Sequence, residues 1–428
     1  MRAVLAALAL AALAGAPASA APATLQASDG GGGAHVVVAA DPGALVAGVE
    51  LLVDAGLDRE TESQNGLAAL VAECVLQTPM AGGTRLTDAV DARGASLRYA
   101  VGSQGVRFYL EGTPAALDAS APLVAGALAS PAFDARTLAA ARDALGERIR
   151  DDESDARVVG RAMLRAAFYR GAAGFPPYGT TGSLTAFAPA DAQAFHTAWY
   201  RRGGAVAVAA GRTGVATDRT VAALLAALPT GSAAAVTLDT KPFGAEPRRI
   251  VTQRDVGAPY IVLGFAAPSL RSPDFAAALV VRALLRGVLE RPKASTTSPL
   301  LRPSGTFYGY DADPAQLVIW INGARLDPEV GIGAIDTVVK AAAAKPVTPQ
   351  VLERYKTAAR GEWILEAVSV DERAAAIANA VAQGAGPNAA GDVAAAIDRV
   401  TSADIERVAK TYFQKFDVAL ILPRGNDS

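Results

Sequence analysis

Histidine is almost missing from this sequence: its 428 residues hold two, His35 and His196. They lie far apart, and neither belongs to a pair spaced to hold a metal. Cysteine is scarcer still, with Cys74 alone, so an intramolecular disulfide is excluded and no Cys/His constellation for metal binding or nucleophilic catalysis exists. Charge of one sign is also lacking. The 40 basic and 42 acidic residues are interspersed and sum to −2, which leaves no electrostatic surface for nucleic acid. Beyond the amino terminus no apolar run reaches the ~20 residues that cross a bilayer, so the mature chain is not expected to insert in a membrane.

What is present is material for large cores: 51% of residues are hydrophobic, and the length suggests roughly two or three domains. Residues 1–20 carry Arg2, a short apolar run from Val4 to about Leu13, and the small residues Ala18-Ser19-Ala20. That is the pattern of a secretory signal peptide cleaved near Ala20, and it places the mature protein in a bacterial periplasm or outside the cell. Residues 21–34, with the run Gly30 to Gly33, read as a flexible spacer. No Gly-Lys-Ser/Thr follows those glycines, so they are not a phosphate loop.

The apolar residues Leu67, Leu70, Val71, Cys74 and Val75 recur at helical spacing, with Asn65 placed to cap the start. Cys74 falls on that apolar face and reads as a small buried hydrophobe. Two further strands over Ser96–Val101 and Gly105–Glu111 form an expected antiparallel pair, and Asp134 caps a helix carrying Leu138, Ala141, Leu145 and Ile149. The segment Pro176-Pro177-Tyr178-Gly179-Thr180-Thr181-Gly182 is a turn. It leads to Pro189-Ala190-Asp191, a helix ending near Trp199-Tyr200, and an apolar strand.

The second half repeats this ending. Ser402-Ala403-Asp404 stands where Pro189-Ala190-Asp191 stood, and Tyr412-Phe413 matches Trp199-Tyr200. The beginnings also agree: Arg249 to Thr252 parallels Val36 to Val38, and Tyr260 to Ala266 parallels Gly48 to Val53. The expected organisation is therefore a domain over 35–228, a Gly/Ser/Ala/Pro-rich linker over 229–247 and a second domain over 248–428. Trp320 and Trp363 read as buried aromatics.

The stretch Asn65-Gly66-Leu67-Ala68-Ala69-Leu70-Val71-Ala72-Glu73-Cys74, with Gly82-Gly83-Thr84 beyond it, resembles the signature region of the M16 peptidases, the insulinase and mitochondrial-processing-peptidase family. Their inverted zinc motif is His-x-x-Glu-His, whose three positions share one helix face. Here those positions are Ala69, Ala72 and Glu73, and Glu147 lies near the family's third ligand position. Alanine has no lone pair to offer a metal. The resemblance thus implies an α+β chain of two homologous M16-type domains, each a mainly antiparallel sheet with helices packed on one face, without a zinc site of its own.

In the second half, Ser298-Pro299-Leu300-Leu301-Arg302-Pro303-Ser304-Gly305-Thr306-Phe307-Tyr308-Gly309-Tyr310 resembles the family's stretch that supplies an arginine and a tyrosine to the substrate backbone. By that pattern Arg302 is the arginine, and either Tyr308 or Tyr310 the tyrosine. The resemblance implies a catalytically inactive subunit that pairs with a zinc-bearing M16 homologue and helps enclose a peptide, zinc being expected only in that partner chain. The alternative is a purely structural or binding protein with no role in proteolysis.

Overall fold

A computed structural model describes residues 24–233, 247–289, 304–310, 314–322, 327–344 and 346–424. The strands are β1 (Thr24–Asp29), β2 (His35–Ala40), β3 (Ala47–Val53), β4 (Ala95–Val101), β5 (Val106–Gly112), β6 (Val206–Gly211), β7 (Arg249–Arg254), β8 (Tyr260–Ala267), β9 (Ser304–Gly309), β10 (Ala315–Asn322) and β11 (Phe416–Pro423). The first half carries α1 (Leu67–Gln77), α2 (Leu86–Asp91), α3 (Pro114–Ala129), α4 (Ala135–Ser154), α5 (Ala156–Phe168), α6 (Thr181–Ala186), α7 (Pro189–Trp199) and α8 (Val215–Ala226). The second carries α9 (Phe275–Leu289), α10 (Pro328–Ala344), α11 (Pro349–Leu365), α12 (Val370–Ala382), α13 (Ala389–Arg399) and α14 (Ser402–Tyr412).

The fold is α+β, built on two mixed sheets. The first runs β1-β2-β6-β3-β5-β4 and the second β7-β11-β8-β10-β9. Without β1 the two orders are the same, and each holds one parallel pair in the same place, β2 with β6 and β7 with β11. The repeat legible in the sequence is thus a repeat of topology. Within the stretch read as a spacer, Thr24–Asp29 forms a strand paired antiparallel with β2. All six of its residues are exposed, so it shows no apolar alternation and is held by backbone bonds to its neighbour.

Each sheet packs its own helices on one face. Val49, Leu51 and Val53 of β3 join α1, α3 and α4 in the first core, while Leu263 and Phe265 of β8 join α9 and α14 in the second. The opposite faces are covered by exchange. Val37, Leu52, Val206 and Val208 lie under Ala374, Ile377 and Ala378 of α12. Val262, Val318 and Ile421 lie under Ala156, Val159 and Leu164 of α5. Because strand side chains alternate, β3 feeds both layers and is buried throughout. One residue of β3 on the α12 side is a carboxylate: Glu50 is 2% exposed, with Arg107 Nη1 at 3.5 Å. Burial pushes its pKa up to about 7 against the pull of Arg107.

Candidate functional site

The approach to α1 is built on a buried carboxylate rather than on the expected Asn65 cap. Gly66 is the N-cap residue with φ of 104°, a conformation that favours glycine, and it offers no side chain. Glu60 does the capping: its carboxylate accepts from Gly66 N at 3.1 Å and Ala68 N at 2.7 Å, satisfying amide donors that the helix cannot. Asn65 instead bridges, its Nδ2 donating to Glu60 at 2.9 Å and to the Pro176 carbonyl at 3.1 Å. Burial raises the Glu60 pKa to about 7 even though these donors oppose the rise. The Pro176–Gly182 turn is docked here, with a Cβ on Gly66 falling 3.1 Å from the Gly179 backbone.

Along α1 itself, Ala69 and Ala72 are fully buried in the first core. Glu73 is also buried, and Gln77 Nε2 donates to its Oε1 at 2.7 Å. Cys74 is buried as expected, and desolvation pushes its thiol pKa up to about 12, which keeps it an inert thiol. Glu147 is exposed on α4, the helix packed against α1. Beside it, the Arg148 guanidinium sits 4.1 Å from the Tyr178 ring centre and 5.5 Å from that of Tyr99. The Tyr99 hydroxyl is buried, and desolvation foremost, with the Glu73 charge adding, raises its pKa far above the usual range.

Zinc does not fit this donor set. Of the three positions that the sequence resemblance assigns to the motif, two are methyl groups and the third is a carboxylate already bonded to Gln77. Among the described residues no three His, Cys, Asp or Glu side chains gather to hold a metal ion. The histidines serve elsewhere: His35 opens β2, and His196 on α7 is buried with Nε2 2.9 Å from the Leu128 carbonyl.

In the second half, Arg302 lies outside the described residues. Tyr308 on β9 and Tyr310, one residue beyond its end, lie on the same side, with ring centres 6.3 Å apart. Tyr308 is 5% exposed, donates its hydroxyl to the Pro268 carbonyl at 2.7 Å and stands edge-on to Phe275. Tyr310 is half-buried, with ring contacts to Phe275 and Trp363. The structure does not bring these tyrosines together with Ala69 and Ala72, since the two pairs border different cores. Trp363 is buried, whereas Trp320 is half-buried on the outer face of the second sheet, 5.5 Å from Arg157. A row of guanidiniums on α5 was not anticipated. Arg157, Arg161 and Arg165 recur every fourth residue and lie over the rings of Trp320, Phe307 and Tyr169, and that spacing is the readable signal.

No protein-family model matches this chain, and no curated protein matches it by sequence. Solved structures do match. A protease from Helicobacter pylori aligns with a TM-score of 0.77 at 17% identity, covering 94% of this chain and 100% of that one. The inactive domain of an M16 peptidase from Pseudomonas fluorescens aligns with a TM-score of 0.78 at 16% identity, covering 94% of this chain and 98% of its own. This chain has the M16 peptidase fold. A protein from Alicyclobacillus acidocaldarius named as M16-like aligns over the same 94%, with a TM-score of 0.75 and 14% identity. The likeness in fold thus extends over 94% of this chain in all three cases.

Proposed function

We propose that this chain is a catalytically inactive M16-type subunit that pairs with a zinc-bearing M16 homologue and helps enclose and bind peptide for proteolysis. One observation carries the reading: an M16 fold nearly complete over the chain has alanine at two of its three motif positions, both sealed in the core. The Pseudomonas fluorescens neighbour, itself named an inactive domain, supports the same direction. The partner supplies zinc and cleavage. This chain supplies a wall and, through Arg302, a guanidinium suited to bonding a peptide carbonyl as charge develops there. Tyr308 or Tyr310 is its companion; the Tyr308 hydroxyl donates to the Pro268 carbonyl in this structure. The signal-like pattern of residues 1–20 supports an assembly in the periplasm or outside the cell. No helix among the described residues is long and apolar enough to cross a membrane.

Purification of the tagged chain from its native cell tests the pairing. Recovery with a stoichiometric zinc-containing M16 homologue is the expected result, and recovery alone sinks the proposal. The inward setting of both tyrosines favours a second reading, a purely structural M16-type protein. Arg302→Ala in the assembled complex separates the two: a fall in cleavage of about tenfold or more, as for loss of a charge-assisted donor, marks substrate contact, and unchanged cleavage marks the structural role.

A further inference from the structure

α5 packs on the second sheet through Ala156, Val159 and Leu164, and comes very close to it at Gly160. At Gly160 a Cβ would fall 2.5 Å from Val262, so helix and sheet meet there with no room for a side chain. Beside this contact opens a cleft of about 590 Å³ between α5, the Pro176–Thr181 turn and the outer face of β9 and β10. A volume of this size lies in the range of small-ligand sites. Leu57, Val159 and Val318 in its walls are already buried, whereas Phe307 and the half-buried Met163 still offer apolar surface that gains from covering.

The charges in the cleft are unevenly matched. Arg161, Arg165 and Arg254 line it, against Asp152 and Glu153 at the end of α4. Arg161 is half-buried, with its guanidinium 4.4 Å from the centre of the Phe307 ring. No carboxylate among the described residues lies within ion-pair distance of it; desolvation lowers its pKa, while the more distant Asp155 and Asp152 charges oppose the fall. The Nε of Arg254 is buried and meets no acceptor among the described residues. A buried donor without a partner is costly, so Arg254 carries an unsatisfied guanidinium nitrogen at the cleft wall. Guanidiniums present planar forks that match carboxylates.

We infer that this cleft is a binding site for an apolar carboxylate, whose hydrocarbon or aromatic body lies against Phe307 and Met163 and whose carboxyl group meets Arg161 and Arg254. The chemistry is shared by the free carboxy terminus of a short apolar peptide and by a medium-chain fatty acid. It needs no partner chain, so its test is separate from that of the pairing.

The test uses the isolated full-length chain, with titration calorimetry and the tryptophan emission to which Trp320 contributes. The probes are N-acetyl-Leu-Phe as the free acid, the same dipeptide as its amide, decanoate and decanol. The expected result is that at least one acid binds and that its neutral counterpart binds about tenfold or more weakly, as for loss of one charge-assisted bond. The stronger acid names the source. Arg161→Gln and Arg254→Gln are each expected to weaken that acid about tenfold, with Arg161→Lys recovering part of the loss and thermal unfolding unchanged. Equal binding of acid and neutral forms, absence of binding by both acids, or full affinity in both glutamine variants would overturn the inference.

Discussion

The outer face of the first sheet lies under α12, whose Ala374 and Ala378 let the helix settle close while Ile377 fills the space beside Leu52 and Val208. The outer face of the second lies under α5, which meets it at Gly160 and then carries arginines over Phe307 and Trp320. One strand order thus supports two closures. The sealed side holds the carboxylate of Glu50 in its layer, and the open side gathers guanidiniums around a cleft. The difference teaches that helix surface chemistry, and not sheet topology, decides whether such a face becomes core or site.

Breaking the sealed side should cost most. Ile377→Ala removes a buried side chain that bridges the two halves, and a loss of about 3 kcal/mol is expected from the urea midpoint. Glu50→Gln should act in the other direction. The Glu50 pKa is raised from 4.5 to about 7 in the folded chain, so its stabilising contribution is complete below pH 4.5 and is lost as pH rises through 7. The variant should therefore match the parent near pH 4 and exceed it by about 3 kcal/mol at pH 8. Equal stability of the two at pH 8 would remove Glu50 from the account of the sealed face.

Smaller effects sharpen the contrast. Glu60→Ala leaves the donors of Gly66, Ala68 and Asn65 without their acceptor and should cost about 1 to 2 kcal/mol by thermal unfolding. Its effect should stay in the first half, visible as faster amide exchange at the start of α1. Gly160→Ala crowds Val262 but gains helix propensity, so a net loss of about 1 kcal/mol is expected. Combining it with Val262→Ala should recover much of that loss, since the two share one contact.

Much of the architecture was legible because it rests on periodicity. Leu67, Leu70, Val71 and Cys74 gave α1, the alternation around Phe108 and Leu110 gave β5, and the matched endings at Asp191 and Asp404 gave the repeat. The capping of α1 was not legible, because Glu60 reaches it from outside the helix through a turn. β1 was hidden by its full exposure. The exchange of α5 and α12 was hidden because a helix pattern shows that a face is apolar but not which sheet receives it. Ala69 and Ala72 were legible as residues of the buried face of α1, and their assignment to the motif rests on the sequence resemblance. The inward turn of Tyr308 followed only once the register of β9 on β10 was known.

The central claim is that this chain has the M16 fold without zinc chemistry of its own. Metal analysis of the purified full-length chain, after gel filtration in buffer containing micromolar zinc, tests it most directly. The account predicts far less than one zinc per chain. One tightly held zinc per chain, retained through the column, would contradict it.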